Sequence, residues 1–213
     1  MDKKIQEQMK KVYITNHWRD QESRSGSGSN QQNTAQLVHE LPYVINQLKV
    51  KSILDIPCGD FAWMPRVLAN ISDEVVYHGA DIVPDIIENN QKFATDKVYF
   101  SCLDITSDNL PYADLVIVRD CLNHLPLNKA FEALRNIKHS GIKYLALTNF
   151  NWRSNIHNYD IDNEDGVKWR RLNFTLPPFS FVNPIDVIVE NSFEPLGRDK
   201  TLAIWELSSL KTL

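Results

Sequence analysis

The chain has 213 residues, of which 43% are hydrophobic and 23% charged, with a formal net charge of −4. That length suits one α/β domain with a real core, and the acidic balance argues against a duplex nucleic-acid binder, which carries a basic excess. No apolar run reaches the roughly 18 residues that a membrane span needs, and the polar start Met1-Asp2-Lys3-Lys4 lacks the core of a signal peptide. The expectation is one cytoplasmic domain over residues 1–213, with small molecules rather than a membrane or duplex as partners. Cys58, Cys102 and Cys121 are spaced by 44 and 19 residues, which fits no zinc or iron–sulfur pattern. They read as small reduced apolar side chains, and no metal site is expected.

Residues 2–14 are predicted helical, with Ile5, Met9, Val12 and Tyr13 on one face. A polar loop from Gln21 to Asn33 follows, containing Ser25-Gly26-Ser27-Gly28-Ser29. It has the composition of a flexible linker, yet only about 25 residues precede its Ser-Gly run, so an upstream domain for it to connect is not expected. It is either disordered or a lid whose glycines act as hinges. Trp18, just before it, is assigned to the core rather than to a ligand. Thr34–Leu48 is a second predicted helix, with Leu37, Leu41, Val44, Ile45 and Leu48 in register. Residues 1–50 thus supply helices and a candidate lid.

From residue 51 to 150 the pattern changes. Short apolar runs at Ser52–Ile56, Val75–Ala80, Val98–Leu103, Leu115–Val118 and Tyr144–Leu147 are separated by helical signals at Phe61–Asn70, Pro84–Thr95 and Asn128–His139. Runs apolar on both faces, alternating with helices, predict a parallel sheet covered on both sides. Residues 151–183 have no clear period but hold Trp152, Tyr159, Trp169, Phe174, Phe179 and Phe181; so long a segment without regular structure is uncommon unless functional. Pro184–Asn191 is predicted to be a helix with proline in its first turn. Phe193–Leu196 and Thr201–Leu207, flanking Gly197-Arg198-Asp199-Lys200, predict an antiparallel hairpin. The fold class is α/β, a doubly wound, Rossmann-like, seven-stranded and mostly parallel sheet with an antiparallel last strand.

In such sheets ligands bind beyond the carboxyl ends of the strands, and four of the five parallel runs end in or near an acid: Asp55, Asp81, Asp104 and Asp120. Asp81 lies 22 residues past Gly59. An acid about 20 residues beyond the first glycine turn can accept from ribose hydroxyls. Asp104 can accept from the exocyclic amine of a base, and Gly59 lets backbone approach a ligand closely. Capping of the following helices is the competing role for Asp81 and Asp104. The first turn, Asp55-Ile56-Pro57-Cys58-Gly59-Asp60-Phe61, has one glycine instead of G-x-G-x-x-G, and Asp60 puts negative charge where a pyrophosphate would sit. A cationic or zwitterionic ligand suits it better.

The ordered segments Ile53–Asp60, Gly79-Ala80-Asp81-Ile82, Leu103-Asp104-Ile105 and Asp114–Leu125 resemble the motifs of class I S-adenosylmethionine-dependent methyltransferases. Pro57 and Phe61 stand where that family commonly has glycines. Pro57-Cys58-Gly59-Asp60-Phe61 with Trp63, together with the Ser25–Ser29 loop, resembles a bacterial subgroup associated with surface-polysaccharide modification. The resemblance implies S-adenosyl-L-methionine as cofactor. Asp55, Pro57 and Gly59 would border its methionine part, with Ser25 and Gly26 in the lid. Asp81 would meet the ribose, Ile82 the adenine, and Asp104 the adenine amine beside Ile105. Arg119 and Asp120 would lie under the methionine or face the acceptor.

The methyl acceptor is expected to be small and sugar-linked or anionic, and methylated on oxygen. Asp120 and His124 are the candidate bases. Lys168-Trp169-Arg170-Arg171 reads either as a solvated charged face or as a clamp in which Arg170 and Arg171 hold an anion. Trp169 would stack on a sugar, and Asn149 would stand at the same strand end. Two rival readings remain: an NAD(P)-dependent oxidoreductase on a similar sheet, against which the missing glycines count, and a non-catalytic scaffold of the same fold.

Overall fold

Runs that are apolar on both faces form the centre of the molecule. The computed structural model describes residues 2–150, 158–163, 167–190 and 199–210. Its strands are β1 (Ser52–Asp55), β2 (Val76–Asp81), β3 (Val98–Cys102), β4 (Leu115–Val118), β5 (Tyr144–Phe150), β6 (Asp186–Val189) and β7 (Lys200–Glu206). They make one sheet in the order β3-β2-β1-β4-β5-β7-β6. β1 to β5 are parallel, while β7 runs antiparallel to both β5 and β6. The seven-stranded, mostly parallel sheet is therefore as expected. All four residues of β4, Leu-Val-Ile-Val, are buried, as a strand covered on both faces requires. Strand order reverses between β1 and β4, and this opens a crevice at the carboxyl edge there.

The helices are α1 (Lys3–Ile14), α2 (Gln31–Gln47), α3 (Met64–Leu68), α4 (Pro84–Asn90) and α5 (Leu127–His139). α2 begins earlier than its apolar period indicates because Asn30 caps it, accepting from the Asn33 N–H at 2.9 Å. α3 is shorter than the expected 61–70 because Phe61 has φ of 60°, outside the right-handed helical region. Leu37, Leu41 and Ile45 of α2 cover one sheet face over Ile53, Tyr77, Ile117 and Ile204. Ala130, Ala133, Leu134 and Ile137 of α5 cover the other over Leu54, Val116 and Val118. Phe174, Phe179 and Phe181 join Trp205 in that second core.

The C-terminal end departs from expectation. The helix predicted over 184–191 is instead β6, whose Val187, Ile188 and Val189 are β-branched and favour extended backbone. Ile188 buries itself beneath α2 with the first core. Besides β5, the antiparallel partner of β7 is therefore β6. The run 193–196, expected to form that arm, lies outside the described residues. Among the described residues no helix is long and apolar enough to cross a membrane, and no group of three or more His, Cys, Asp or Glu is placed to hold a metal ion.

Candidate active site

A cavity of about 200 Å³ opens at the carboxyl edge of the sheet, and Asp55, Asp81 and Asp104 all line it. Ile56, Pro57 and Gly59 beyond β1, Ile82 beyond β2, Ile105 beyond β3, and Arg119, Asp120 and His124 beyond β4 share its wall. The strand ends singled out in the sequence thus converge on one space.

The three acids differ in environment. Asp55 is 2% exposed and accepts from the Tyr77 hydroxyl at 2.7 Å; burial pushes its pKa up to about 7. Asp81 accepts from the N–H groups of Val83 at 3.0 Å and Gly59 at 3.2 Å, and burial raises it to about 6. Neither has a salt-bridge partner among the described residues, so a cationic group in the cavity would stabilise both as carboxylates. Asp104 is also buried, but Thr106 saturates one oxygen with its hydroxyl at 2.6 Å and its N–H at 2.8 Å. The Asp2 N–H donates to the other at 2.6 Å. Burial alone would raise Asp104, but these bonds outweigh it and hold it below the usual carboxylate range.

α1 lies across this end of the cavity. Asp2, its N-cap, sits on Asp104, Gln6 donates to the Ile82 carbonyl at 2.9 Å, and Ile5, Met9, Val12 and Tyr13 form part of the cavity wall. The apolar face of α1 is visible in the sequence; what it covers is not, because the covered surface is assembled from strand ends far along the chain.

The Ser-Gly loop is docked on the first turn. Gly59 has φ of 55°, and a Cβ there would stand 2.3 Å from Ser25 Oγ. Ser25 Oγ accepts from the Asp60 N–H at 3.0 Å, while the Asp60 carboxylate accepts from Ser23 Oγ at 2.9 Å and the Arg24 N–H at 2.7 Å. Ser25 and Ser29 reach the cavity wall. Gly26 instead supports Trp18, whose ring lies 3.1 Å from the position of its missing Cβ. Trp18 is not in the core as expected. It lines the cavity, edge-on to His124 with ring centroids 5.9 Å apart.

Beyond β4 lies a cluster of four charges. The buried Arg119 donates through Nη2 to the Gly28 carbonyl and to Glu190, each at 2.6 Å. Its guanidinium lies 5.5 Å from the centroid of the Trp63 ring. Lys200 pairs with Asp120 and stands 3.2 Å from Glu190. Burial would raise the Asp120 pKa, but Lys200 and then Arg119 outweigh it and keep this acid ionised and weakly basic. Glu190 and Lys200 escape sequence reasoning: they lie 71 and 80 residues from their partners Arg119 and Asp120 and carry no local spacing signal.

His124 ends a short 3-10 turn, Leu122–His124. Its Nδ1 is 3.1 Å from the Lys168 carbonyl. A carbonyl only accepts, so Nδ1 carries the hydrogen and Nε2 keeps its lone pair. Burial lowers its pKa, which leaves the ring neutral near pH 7. Of the two expected bases, His124 has the tautomer and the charge state for the task.

Asn149, Trp169, Arg170 and Arg171 do not line the cavity. Asn149 accepts from the Phe174 N–H at 2.8 Å, and Trp169 stacks on Phe150 with centroids 6.3 Å apart. The two arginines diverge rather than forming a side-by-side clamp. Arg171 approaches Asp199 at 3.9 Å, whereas Arg170 is 1% exposed and donates through Nη1 to the carbonyl of Leu125 at 2.7 Å and of Asn123 at 3.4 Å. Its Nε and Nη2 have no hydrogen-bond partner among the described residues. Trp152 lies outside the described residues, and Tyr159 is at the surface.

Neither a protein-family model nor a curated protein matches the sequence. Solved structures do. The N-methyltransferase NodS from Bradyrhizobium japonicum WM9 is 13% identical over 84% of this chain and 98% of its own, with a TM-score of 0.59. The methyltransferase domain of bacterial CtHen1 is 11% identical over 82% and 99%, also at 0.59. Human N-acetylserotonin methyltransferase, solved with SAM, is 14% identical over 84% of this chain and 56% of its own, at 0.55. At these identities the likeness is one of fold, the α/β fold of methyltransferases.

Proposed function

We propose that this chain is an S-adenosylmethionine-dependent methyltransferase acting on an oxygen of a small, sugar-linked or anionic acceptor. The observation that supports the cofactor reading is the convergence of Asp55, Asp81 and Asp104 on one cavity beside the single-glycine turn. In this reading Asp81 accepts from the ribose hydroxyls, and Ile82 and Ile105 flank the adenine. Asp104 meets its amine, while Asp55, Pro57, Gly59 and Arg119 border the amino-acid end. Two buried carboxyls whose pKa is raised and which have no salt-bridge partner among the described residues fit a ligand carrying a sulfonium and an ammonium. Gly59 offers bare backbone, and Asp60 disfavours a pyrophosphate.

Bound there, the cofactor supplies an activated methyl group. The remaining tasks fall to the chain: alignment of the acceptor and exclusion of water. α1 and the docked Ser-Gly loop shield the cavity. Where the acceptor is a hydroxyl, His124 Nε2 takes its proton. Asp120, held ionised by Lys200, favours the imidazolium so formed. The resemblance at Pro57–Trp63 supports a sugar of a surface polysaccharide.

Titration calorimetry with S-adenosylmethionine, S-adenosylhomocysteine and NAD, followed by a mass-spectrometric screen of sugars and sugar acids, tests the reading. Binding of the first two without NAD is expected. Binding of NAD alone would favour an oxidoreductase, and no binding of any would favour a non-catalytic scaffold.

A further inference from the structure

We infer that Asn163 is a positioning residue that fixes the tautomer of His124. The inference rests on the role of His124 as base and concerns how the fold prepares it. The Asn163 side chain makes three bonds to two segments. Its Nδ2 donates to the His124 carbonyl at 2.6 Å and to the Lys168 carbonyl at 3.1 Å. Its Oδ1 accepts from the Lys168 N–H at 2.9 Å. The Lys168 carbonyl therefore receives two donors, Asn163 Nδ2 and His124 Nδ1, which occupy both of its lone pairs.

One side chain thus ties the turn that carries His124 to the peptide that reads its ring. The neighbouring strand of contacts supports the same register. The Arg170 N–H donates to the Asn123 carbonyl at 3.0 Å, Arg170 Nη1 donates to the Leu125 carbonyl, and Lys168 Nζ donates to the Asp162 carbonyl at 2.9 Å. Asn163, Lys168 and Arg170 are thus laced to residues 123–125 around His124. A ring held this way donates from Nδ1 and leaves Nε2 unprotonated. Nε2 has no partner among the described residues, and the ring lines the cavity. That is the state a base needs before it meets a hydroxyl. Without the fixed carbonyl, the Nε2–H tautomer becomes available, and in it the cavity faces a donor instead of an acceptor.

Burial is the largest influence on the ring and favours its neutral form. Burial lowers its pKa, Asp120 and the Lys168 carbonyl oppose that, and Lys200 and Arg170 add to it. A neutral ring is the only one in which the choice of tautomer exists, so the Asn163 clasp has an effect to exert near pH 7.

The test needs no acceptor. Full-length protein labelled with 15N-histidine is examined at pH 7.5 by long-range 1H–15N correlation, which separates Nδ1–H from Nε2–H rings; His124→Gln identifies the His124 signals among the six histidines. In the wild type His124 should show the Nδ1–H pattern. In Asn163→Ala it should move to a tautomer mixture. Asn163→Asp, which keeps the acceptor for the Lys168 N–H but loses both Nδ2 donations, should move with it. Calorimetry with S-adenosylmethionine on the same samples should give an affinity unchanged within about twofold, since Asn163 does not line the cavity. A wild-type ring with Nε2–H, or an Nδ1–H pattern that persists in folded Asn163 variants, overturns the inference. Absence of S-adenosylmethionine binding with an intact tautomer shift overturns the methyltransferase reading instead.

Discussion

Arg119 holds the carbonyl oxygen of Gly28 at 2.6 Å, across 91 residues of sequence. The same nitrogen reaches Glu190 at 2.6 Å, so one buried cation ties the Ser-Gly loop to the end of β6. Arg119→Ala would leave Glu190 with only Lys200, and breaking a buried pair costs about 3–5 kcal/mol. Arg119→Lys keeps the charge but withdraws the planar Nη2 amino group that reaches both acceptors. The lysine variant is expected to fold, with faster amide exchange at residues 25–29 and S-adenosylmethionine affinity lowered about tenfold, the equivalent of roughly 1.4 kcal/mol. Unaltered exchange in that segment would show that this contact does not hold the loop.

Asp81→Ala removes the carboxylate assigned to the ribose. A hydrogen bond to a charged group contributes about 1.5–3 kcal/mol, so affinity for S-adenosylhomocysteine should fall about 10- to 100-fold. Because Asp81 also accepts from the Val83 and Gly59 N–H groups, the melting temperature must be measured alongside. Wild-type affinity in a folded variant would remove Asp81 from the site.

Asp55 makes stability depend on pH with a defined sign. Its pKa rises from 3.8 to about 7 on folding, so the native state holds the proton more tightly than the unfolded chain. The penalty is absent below the unfolded value, grows as pH rises through the window, and is complete above the folded value. The slope is at most about 1.4 kcal/mol per pH unit. Asp55→Asn retains a carbonyl to accept from the Tyr77 hydroxyl. Its melting temperature relative to wild type should therefore climb between pH 4 and pH 8, by about 2–4 °C per kcal/mol. A pH-independent difference would mean that Asp55 titrates normally.

Gly59→Ala places a Cβ 2.3 Å from Ser25 Oγ at a residue with φ of 55°. Left-handed backbone costs a non-glycine residue about 1–2 kcal/mol, and the clash adds displacement of the docked loop. The variant should melt several degrees lower, at about 2–4 °C per kcal/mol, and bind S-adenosylmethionine more weakly. Intact affinity would show that the first turn lies away from the ligand.

The parallel core was legible because its strands announce themselves. Leu115–Val118 is a four-residue apolar run and is β4 without adjustment. Asp55, Asp81 and Asp104 could be read because each closes such a run. β6 was misread because Pro184 before a polar–apolar stretch looks like a helix start, while the strand forms through pairing with β7, a tertiary effect. β5 runs three residues past its apolar segment through Thr148, Asn149 and Phe150, because β7 pairs along its whole length. Glu190, Lys200 and Asn163 were invisible for one reason: they act on residues distant in sequence, and nothing in their local spacing marks them. Arg170 and Arg171 show the converse, since adjacency in sequence suggested a joint clamp that the backbone turns apart.

The proposed activity requires that acids at the ends of three strands form one site for an adenosyl sulfonium. Amide chemical-shift mapping of 15N-labelled protein titrated with S-adenosylmethionine tests it most directly. Saturable shifts are expected to concentrate at residues 55–60, 81–83 and 104–106, with the Ser25–Ser29 loop and the start of α1 following. Shifts confined to another surface, or none at saturating ligand, would contradict it.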